Sequence, residues 1–525
     1  MSKSFRQSQT LLHTWSGLLL GWLLFVIFVA GSIAFWREGL NRWMRPELAP
    51  ITQPYQVLEG AKRYLEKVAP DSSSWFIAMP TTRSAGSQVF WQPAEAEGKR
   101  RRRDTQAIIG ANGDPVAARE TRGGEFFYRF HFDLHYMPVI WARWLVGLAA
   151  MMMFVAIVTG IVAHKKIFKD FFTLRRGKGQ RSWLDGHNAT AVLALPFHLM
   201  ITYTGLVTLM AMLMPWAVVA TYADPNKLYE VLYPNAGETE RSGTAAPLAD
   251  LPTVVRDAER RFGAPVGYIE VRNPGDTAAR ITVTRASSTM LSSQTPRITY
   301  DGITGKPIWQ SPLPGAAAVT AGAMIGLHAG RYAGDGLRLI YFLCGVGGAL
   351  MVGSGLVMWT VKRRERLPDP TRPYFGFRVV ERLNIAVVAG FPASIACMFW
   401  ANRLLPVSLP HRADWEVHCL FLAWGAACVV ALVLKPRHGW VALLGATGGL
   451  LALLPVYNLF GTQRGLPATL AQGDGILAGI DIGLLIFGLS FMAVARRVAG
   501  HRPAAPRRRR SVTTPAPALS LEPAE

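Results

Sequence analysis

The residues with most chemical potential are histidines placed twice over. His13 opens "HTWSGLLLGWLLFVIFVAG" and His187 opens "HNATAVLALPFHLMITYTG". Both stretches are apolar, and each closes on a glycine eighteen residues later, Gly31 and Gly205. His135 and His328 each follow a leucine just ahead of another long apolar run. His198 lies inside the second stretch, and His164 ends the run that follows His135. A polar ring in or beside hydrocarbon is costly unless satisfied, which makes an intramembrane ionisable residue a functional candidate. Neutral imidazole is the commonest biological metal ligand. Two histidines at one depth on facing helices supply the opposed axial ligands that a haem needs. Two such pairs predict one haem toward each face of a membrane. Along a straight helix, His187 and His198 lie about 16 Å apart at about 1.5 Å per residue and share a face, so one helix would serve both levels. The plainer alternative is an interfacial histidine that caps or snorkels. His131, His411, His418, His438 and His501 are read that way. Arg143, Arg331 and Arg338, near the His135 and His328 ends, suit haem propionates or ordinary headgroup contact.

The elements that position these rings are long apolar runs. Of the 525 residues, 50% are hydrophobic, concentrated at about 14–36, 141–163, 188–214, 337–361, 379–400, 415–434, 439–459 and 475–496. Runs of about 20 apolar residues span a bilayer, so the sequence predicts about eight spans. The first run is too long for a cleaved signal segment and reads as an anchor. The formal charge of +22 gathers in "HKKIFKDFFTLRRGKGQR", "KRRERLPDPTRPYFGFR", "KPRHG" and "RRVAGHRPAAPRRRR", all on one side if eight spans alternate. By the positive-inside rule both termini are cytoplasmic, and the long segments 37–140 and 215–336 lie outside. "GKRRRRD" at 98–104 falls on the far side, in a long loop where the rule is weak. Charge beside spans, rather than on one folded face, argues against a nucleic-acid partner. Four cysteines, all within predicted spans and without CxxC spacing, argue against a disulfide framework or thiolate metal site and read as small packing residues. Asp481, deep in the last span, reads as a helix contact or a proton-relay residue.

The chain also repeats itself. Each far-side segment begins with an amphipathic helix, "YQVLEGAKRYLEKVAP" or "LPTVVRDAERRFGAP". Strand-like pieces follow ("SWFIAMP", "SQVFWQP", "TQAIIG"; "GYIEVR", "RITVTR", "PRITY"), then a turn, Gly113-Asp114-Pro115 or Gly305-Lys306-Pro307. The following spans both end in Thr/Ser-Gly before a basic loop. The expected fold is therefore an α-helical membrane bundle of about eight spans, with two duplicated small α+β domains outside it. The divisions are 1–36 (first span), 37–140 (first outer domain), 141–214 (spans two and three), 215–336 (second outer domain), 337–363 (span four), 364–498 (a four-span extension) and 499–525 (a basic Pro/Ala-rich tail).

"LHTWSGLLLG", "FHFDLHYMP", "LPFHLMITYTGL", "TGKPIW" and "GLHAGRYAGDGLRLIYFLCGVGGALMVGSGLVMW" together resemble the PepSY-associated transmembrane family over residues 11–363. The resemblance implies a bacterial inner-membrane protein with periplasmic PepSY domains, similar to siderophore-iron reductases that hold b-type haem on membrane histidines. Carried to this chain, it makes His13, His135, His187 and His328 the iron ligands of two haem b groups, with His198, His164 and Arg331 behind them. The implied partners are a ferric siderophore or other ferric complex, a quinol or another external electron donor, and the lipid bilayer. No GxGxxG lies between a strand and a helix, so no nucleotide site is expected within the chain. Two other classes stay open: a non-catalytic membrane module that binds a peptide, protease or siderophore, and a transporter component.

Overall fold

The computed structural model describes residues 4–501, apart from 94–104 and positions 52, 82, 85, 165–166, 172, 174, 176, 178, 223, 225, 238 and 370. The basic stretch 98–104 and the tail from 502 onward lie outside the described residues. Helices dominate. In chain order those used below are α1 (Phe5–Leu19), α2 (Gly21–Ala34), α3 (Arg37–Trp43), α4 (Pro54–Val68), α5 (Gly123–Asp133) and α6 (Val139–Ala163). Then come α7 (Gln180–Leu193), α8 (Leu195–Thr208), α9 (Leu251–Phe262), α10 (Ala316–Ala329) and α11 (Asp335–Arg364). The last four are α12 (Phe375–Leu404), α13 (Arg412–Val433), α14 (Pro436–Gly461) and α15 (Gly475–Gly500).

Six of these are long and apolar enough to cross a bilayer, namely α6 and α11 through α15. Two further spans are bent pairs: α1 meets α2 at 64° and α7 meets α8 at 68°. The chain is a multi-pass membrane protein of six to eight spans. The two breaks fall at equivalent places, Leu20 being seven residues after His13 and Ala194 seven after His187. Pro196 accounts for the second, since it lacks an N–H and its ring crowds the preceding turn. At the first, Gly21 admits Leu356 so closely that a Cβ there would lie 2.7 Å from its side chain. The bend corrects the expectation for His187 and His198. They lie on different helices, α7 and α8, so the straight-helix reckoning of a shared face does not apply.

The two far-side segments do not form two separate domains. Their strands are β1 (Ser74–Ala78), β2 (Ser87–Gln92) and β3 (Gln106–Ile109) from the first segment. The second gives β4 (Val266–Arg272), β5 (Arg280–Arg285), β6 (Arg297–Asp301) and β7 (Pro307–Gln310). All seven join in one antiparallel sheet of order β3-β2-β1-β4-β5-β6-β7. The seam is β1 on β4, with Phe76 opposite Glu270 and Ile77 opposite Ile269. A three-stranded and a four-stranded sheet would each expose an extra unpaired edge; pairing β1 with β4 removes both. It also lets α4 and α9 share one core with the sheet, through Val57, Leu65, Val254, Trp75, Ile269 and Ile281. Each fully buried Val, Leu or Ile contributes about 1.5–3 kcal/mol. The matching turns do occur, with Gly113 at φ +83° and Gly305 at φ +65°, the left-handed region where glycine is unstrained.

Candidate functional site

The structure brings four histidines together as two facing pairs. His13 (α1) faces His187 (α7), with ring centroids 6.3 Å apart and ring planes at 74°. His131 (α5) faces His328 (α10), with centroids 6.0 Å apart and planes at 33°. At these separations each pair leaves room for one metal ion, which would take a nitrogen from each ring at about 2 Å.

Each ring is fixed in the same way. His13 Nδ1 lies 2.8 Å from the Ala156 carbonyl, His187 Nδ1 2.8 Å from Met351, His131 Nδ1 2.8 Å from Ile27, and His328 Nδ1 3.0 Å from Ile201. A carbonyl only accepts, so every Nδ1 carries the proton and donates it. Every Nε2 is left with its lone pair. Metal-binding histidines are held this way, with the second ring nitrogen donating to a backbone carbonyl.

The accepting carbonyls belong to helices that already use them for the i→i+4 ladder, so the second lone pair must be reachable. Four residues beyond each acceptor stands a glycine: Gly160, Gly355, Gly31 and Gly205. A Cβ at these positions would lie 3.1, 3.2, 2.6 and 2.9 Å from Cε1 of His13, His187, His131 and His328. The glycines that close the repeated stretches are thus the clefts in which the rings lie. Ser354 and Thr204 stand one residue before two of them, within 3.5 and 3.3 Å of the His187 and His328 Nδ1 atoms. The arrangement is a repeat within a repeat. Each bent span carries a histidine at one end, and at the other a carbonyl and glycine for the histidine of its partner helix.

Around His13 and His187 lies a cavity of about 720 Å³, within the range of small-molecule sites. Its walls include Leu24, Met153, Ile157 and Met351, and Lys362, Arg363 and Arg366 also border it. Trp359 lines it, and its indole Nε1 is buried without a hydrogen-bond partner. Arg363 lies 3.8 Å over that indole ring. An apolar slot with two opposed imidazoles, basic groups and an unused donor fits the flat, dianionic shape of haem. Among the described residues no cluster of three or more His, Cys, Asp or Glu side chains is placed to hold a metal ion.

The PepSY-associated TM region model matches residues 10–362. The chain belongs to this family. It is also similar to "Uncharacterized protein PA4219" of Pseudomonas aeruginosa, with 26% identity over 362 residues, covering 66% of this chain and 88% of that protein. All four paired histidines and their glycines fall within the PepSY-associated region, whereas α12–α15 fall beyond it.

The other candidates fall elsewhere. His135, which the Leu-His echo matched to His328, does not face it; His131 does. His135 is exposed and stacks on Phe421 with centroids 5.4 Å apart, beside Tyr136. The Tyr136 hydroxyl is hydrogen-bonded to His418 Nδ1. Leu134 and Tyr136 both adopt positive φ, a sharp turn that swings His135 away from α5. His198 is 1% exposed and pairs with no histidine. Its Nε2–H donates to the Cys344 carbonyl at 3.2 Å, its Nδ1 has no partner, and the residue borders the cavity. His164 caps α6 at the edge of the same cavity. Arg331 is exposed. Arg338 is buried and donates to the Phe35 and Arg331 carbonyls. Arg143 is paired with Asp133 at 2.7 Å. Asp481 is fully buried; its Oδ1 accepts from Trp43 and Asn458, and its Oδ2 has no partner.

Proposed function

We propose that this chain is a di-haem electron-transfer protein of the bacterial inner membrane that reduces ferric complexes, ferric siderophores in particular, on the sheet side. The observation that carries the reading is the pair of facing imidazoles at each of two levels, every ring held by an Nδ1–H···O=C bond. His13 and His187 would hold one haem b, and His131 and His328 the other. When bound, the haem iron supplies one-electron chemistry that no side chain here offers. The chain's own part is to fix ring depth and tautomer, to exclude water with Leu24, Met153 and Ile157, and to neutralise propionates with Lys362, Arg363 or Arg366.

Orientation follows the basic residues. Arg363 and Arg364 end α11 and Arg366 follows it, with Arg363 and Arg366 bordering the His13–His187 cavity; the positive-inside rule then makes that end cytoplasmic and the sheet periplasmic. A quinol or another external donor supplies electrons from within the membrane or the cytoplasm. On the sheet, Phe76 and Phe90 stack at 4.5 Å, with Tyr268 at 6.2 Å from Phe76, on the face opposite α4 and α9. That is a surface on which an aromatic chelate would dock. Reduction to Fe(II) weakens the grip of hard oxygen ligands and frees the iron.

The test is dithionite reduction of the purified protein, followed by mixing with a ferric siderophore in the presence of a ferrous chelator. The expected result is reoxidation of a sharp reduced haem band together with formation of the ferrous chelate. A well-folded but colourless protein would instead support the non-catalytic binding module.

A further inference from the structure

Helices α12–α15 lie outside the matched family region, and their packing shows a task. They also meet α5, the helix that carries His131 and whose main packing is on α2 and α3. Phe126, Phe127 and Phe130 of α5 meet Phe421, Phe399 and Phe391 of the extension, with ring centroids 5.8–6.5 Å apart. Below this aromatic seam lies a buried polar knot. Glu416 and Arg412, both fully buried, form an ion pair. Asn402 donates to Glu416 Oε1 at 2.7 Å. The Thr121 hydroxyl donates to Glu416 Oε2 and accepts from the Gly123 N–H, at 2.9 Å, in the first turn of α5. Arg412 also donates to the Glu120 carbonyl, and Arg119 to that of Asn402.

Among the described residues, no such aromatic and polar contacts from the extension reach the other half of the pair. The helix carrying His328, α10, packs on α8 and lies against Leu291, whose carbonyl would be 1.6 Å from a Cβ at Gly326. A buried ion pair is a weak source of stability, but the hydrogen bonds around it favour one geometry; all the groups named above are paired, and Arg412 Nε alone in this ion pair has no partner. Here the ion pair and its bonds fix the start of a three-turn helix whose last turn carries a ligand candidate.

We propose that the four-span extension is a clamp that positions His131, and hence the His131–His328 site, with Glu416 and Thr121 as positioning residues. At the His13–His187 site the extension reaches only the cavity wall, Phe377 stacking on Trp359 and Val380 packing with Leu18 and Leu356, so substitutions at Thr121 and Phe421 leave that site untouched. The proposal rests on the haem reading only for its spectroscopic consequence; the clamp itself is testable without haem.

The experiment compares Thr121→Val and Phe421→Leu with wild type in the full-length protein. Amide hydrogen exchange is followed in α5 and in α10, on haem-free material. Loss of one buried hydrogen bond is expected to speed exchange across α5 about 10-fold, with α10 unchanged and Thr121→Ser restoring the wild-type rate. On haem-loaded protein, the midpoint potential and low-spin signal of one centre shift while the other stays fixed. The shifted centre is the one that His131→Ala abolishes. Unchanged α5 exchange in both variants overturns the clamp, as does an equal effect on α5 and α10. A faster α5 in a protein that binds no haem supports the clamp and refutes the haem reading.

Discussion

Substituting alanine for each of the four cleft glycines makes a graded perturbation. Ordinary contact begins near 3.4 Å, so the added Cβ falls short by about 0.8 Å at Gly31, 0.5 Å at Gly205, 0.3 Å at Gly160 and 0.2 Å at Gly355. At Gly31 the His131 ring must move by about 0.8 Å. That takes its 2.8 Å bond to Ile27 past 3.5 Å and out of hydrogen-bond range. Overpacking costs about 1–3 kcal/mol and the lost hydrogen bond about 0.5–1.5 kcal/mol. Replacing a helical glycine returns about 0.5–1 kcal/mol. Gly31→Ala is therefore expected to destabilise by about 0.5–4 kcal/mol. Gly355→Ala, where neighbours give by a few tenths of an ångström, should be close to neutral. The assay is haem per chain by pyridine haemochromogen, alongside thermal unfolding in the same detergent. Gly31→Ala should carry about one haem and melt earlier, and Gly355→Ala should keep two. Equal loss in both variants, or two haems with an unshifted spectrum in Gly31→Ala, would refute the cleft argument.

Other predictions follow from the same geometry. His131→Ala should remove one haem while His135→Ala leaves both, measured by haem quantification; the reverse result would restore the Leu-His echo as the ligand signal. Trp359→Phe should weaken haem binding about 10-fold or more, since a hydrogen bond to a charged group contributes about 1.5–3 kcal/mol; titration of haem-free protein with equal affinity would contradict it. Asp276, in the sheet domain, is buried, which works against its charge. Donation from the Ala278 N–H, from Ser242 and from the Gly243 N–H outweighs that and holds its pKa at about 2, against an ordinary 3.8. A depressed folded pKa means that its stabilisation is complete above about pH 4 and is lost as the pH falls toward 2. Asp276→Asn should flatten the acid limb of the sheet domain's unfolding curve; an unchanged limb would show that other carboxylates set it.

Much of the fold was legible in the residues. The two amphipathic helices, the strand pieces and the Gly-Xaa-Pro turns lie where alternation and turn chemistry put them, because a half-buried sheet and a helix on it impose those periods locally. The eight apolar runs likewise correspond to six unbroken spans and two bent ones. The β1–β4 seam was not legible, since it joins residues about 190 positions apart and depends on which edges meet. His13, His187 and His328 were legible because duplication marks them. His131 was not, and the reason is arithmetic. The accepting carbonyls Ala156 and Met351 set the offset between equivalent spans at 195 residues. That offset places His328 opposite Asp133, midway between His131 and His135. Alignment cannot choose between them; the cleft at Gly31 and the turn at Leu134–Tyr136 do. The phenylalanines of "EFFYRFHFD", buried at 126, 127 and 130, were the available sign of a packed helix there. The eighteen-residue His–Gly spacing was visible from the start, but its meaning requires the partner helix: each glycine serves the histidine of another segment.

The most direct test of the central claim is a reduced-minus-oxidised visible spectrum of the purified full-length protein, expressed with ample haem, with haem counted per chain. The account predicts a sharp reduced α-band and two haems per chain, falling to about one in His187→Ala and in His131→Ala. A featureless spectrum from well-folded protein, or two haems persisting in the quadruple variant lacking His13, His131, His187 and His328, would contradict it.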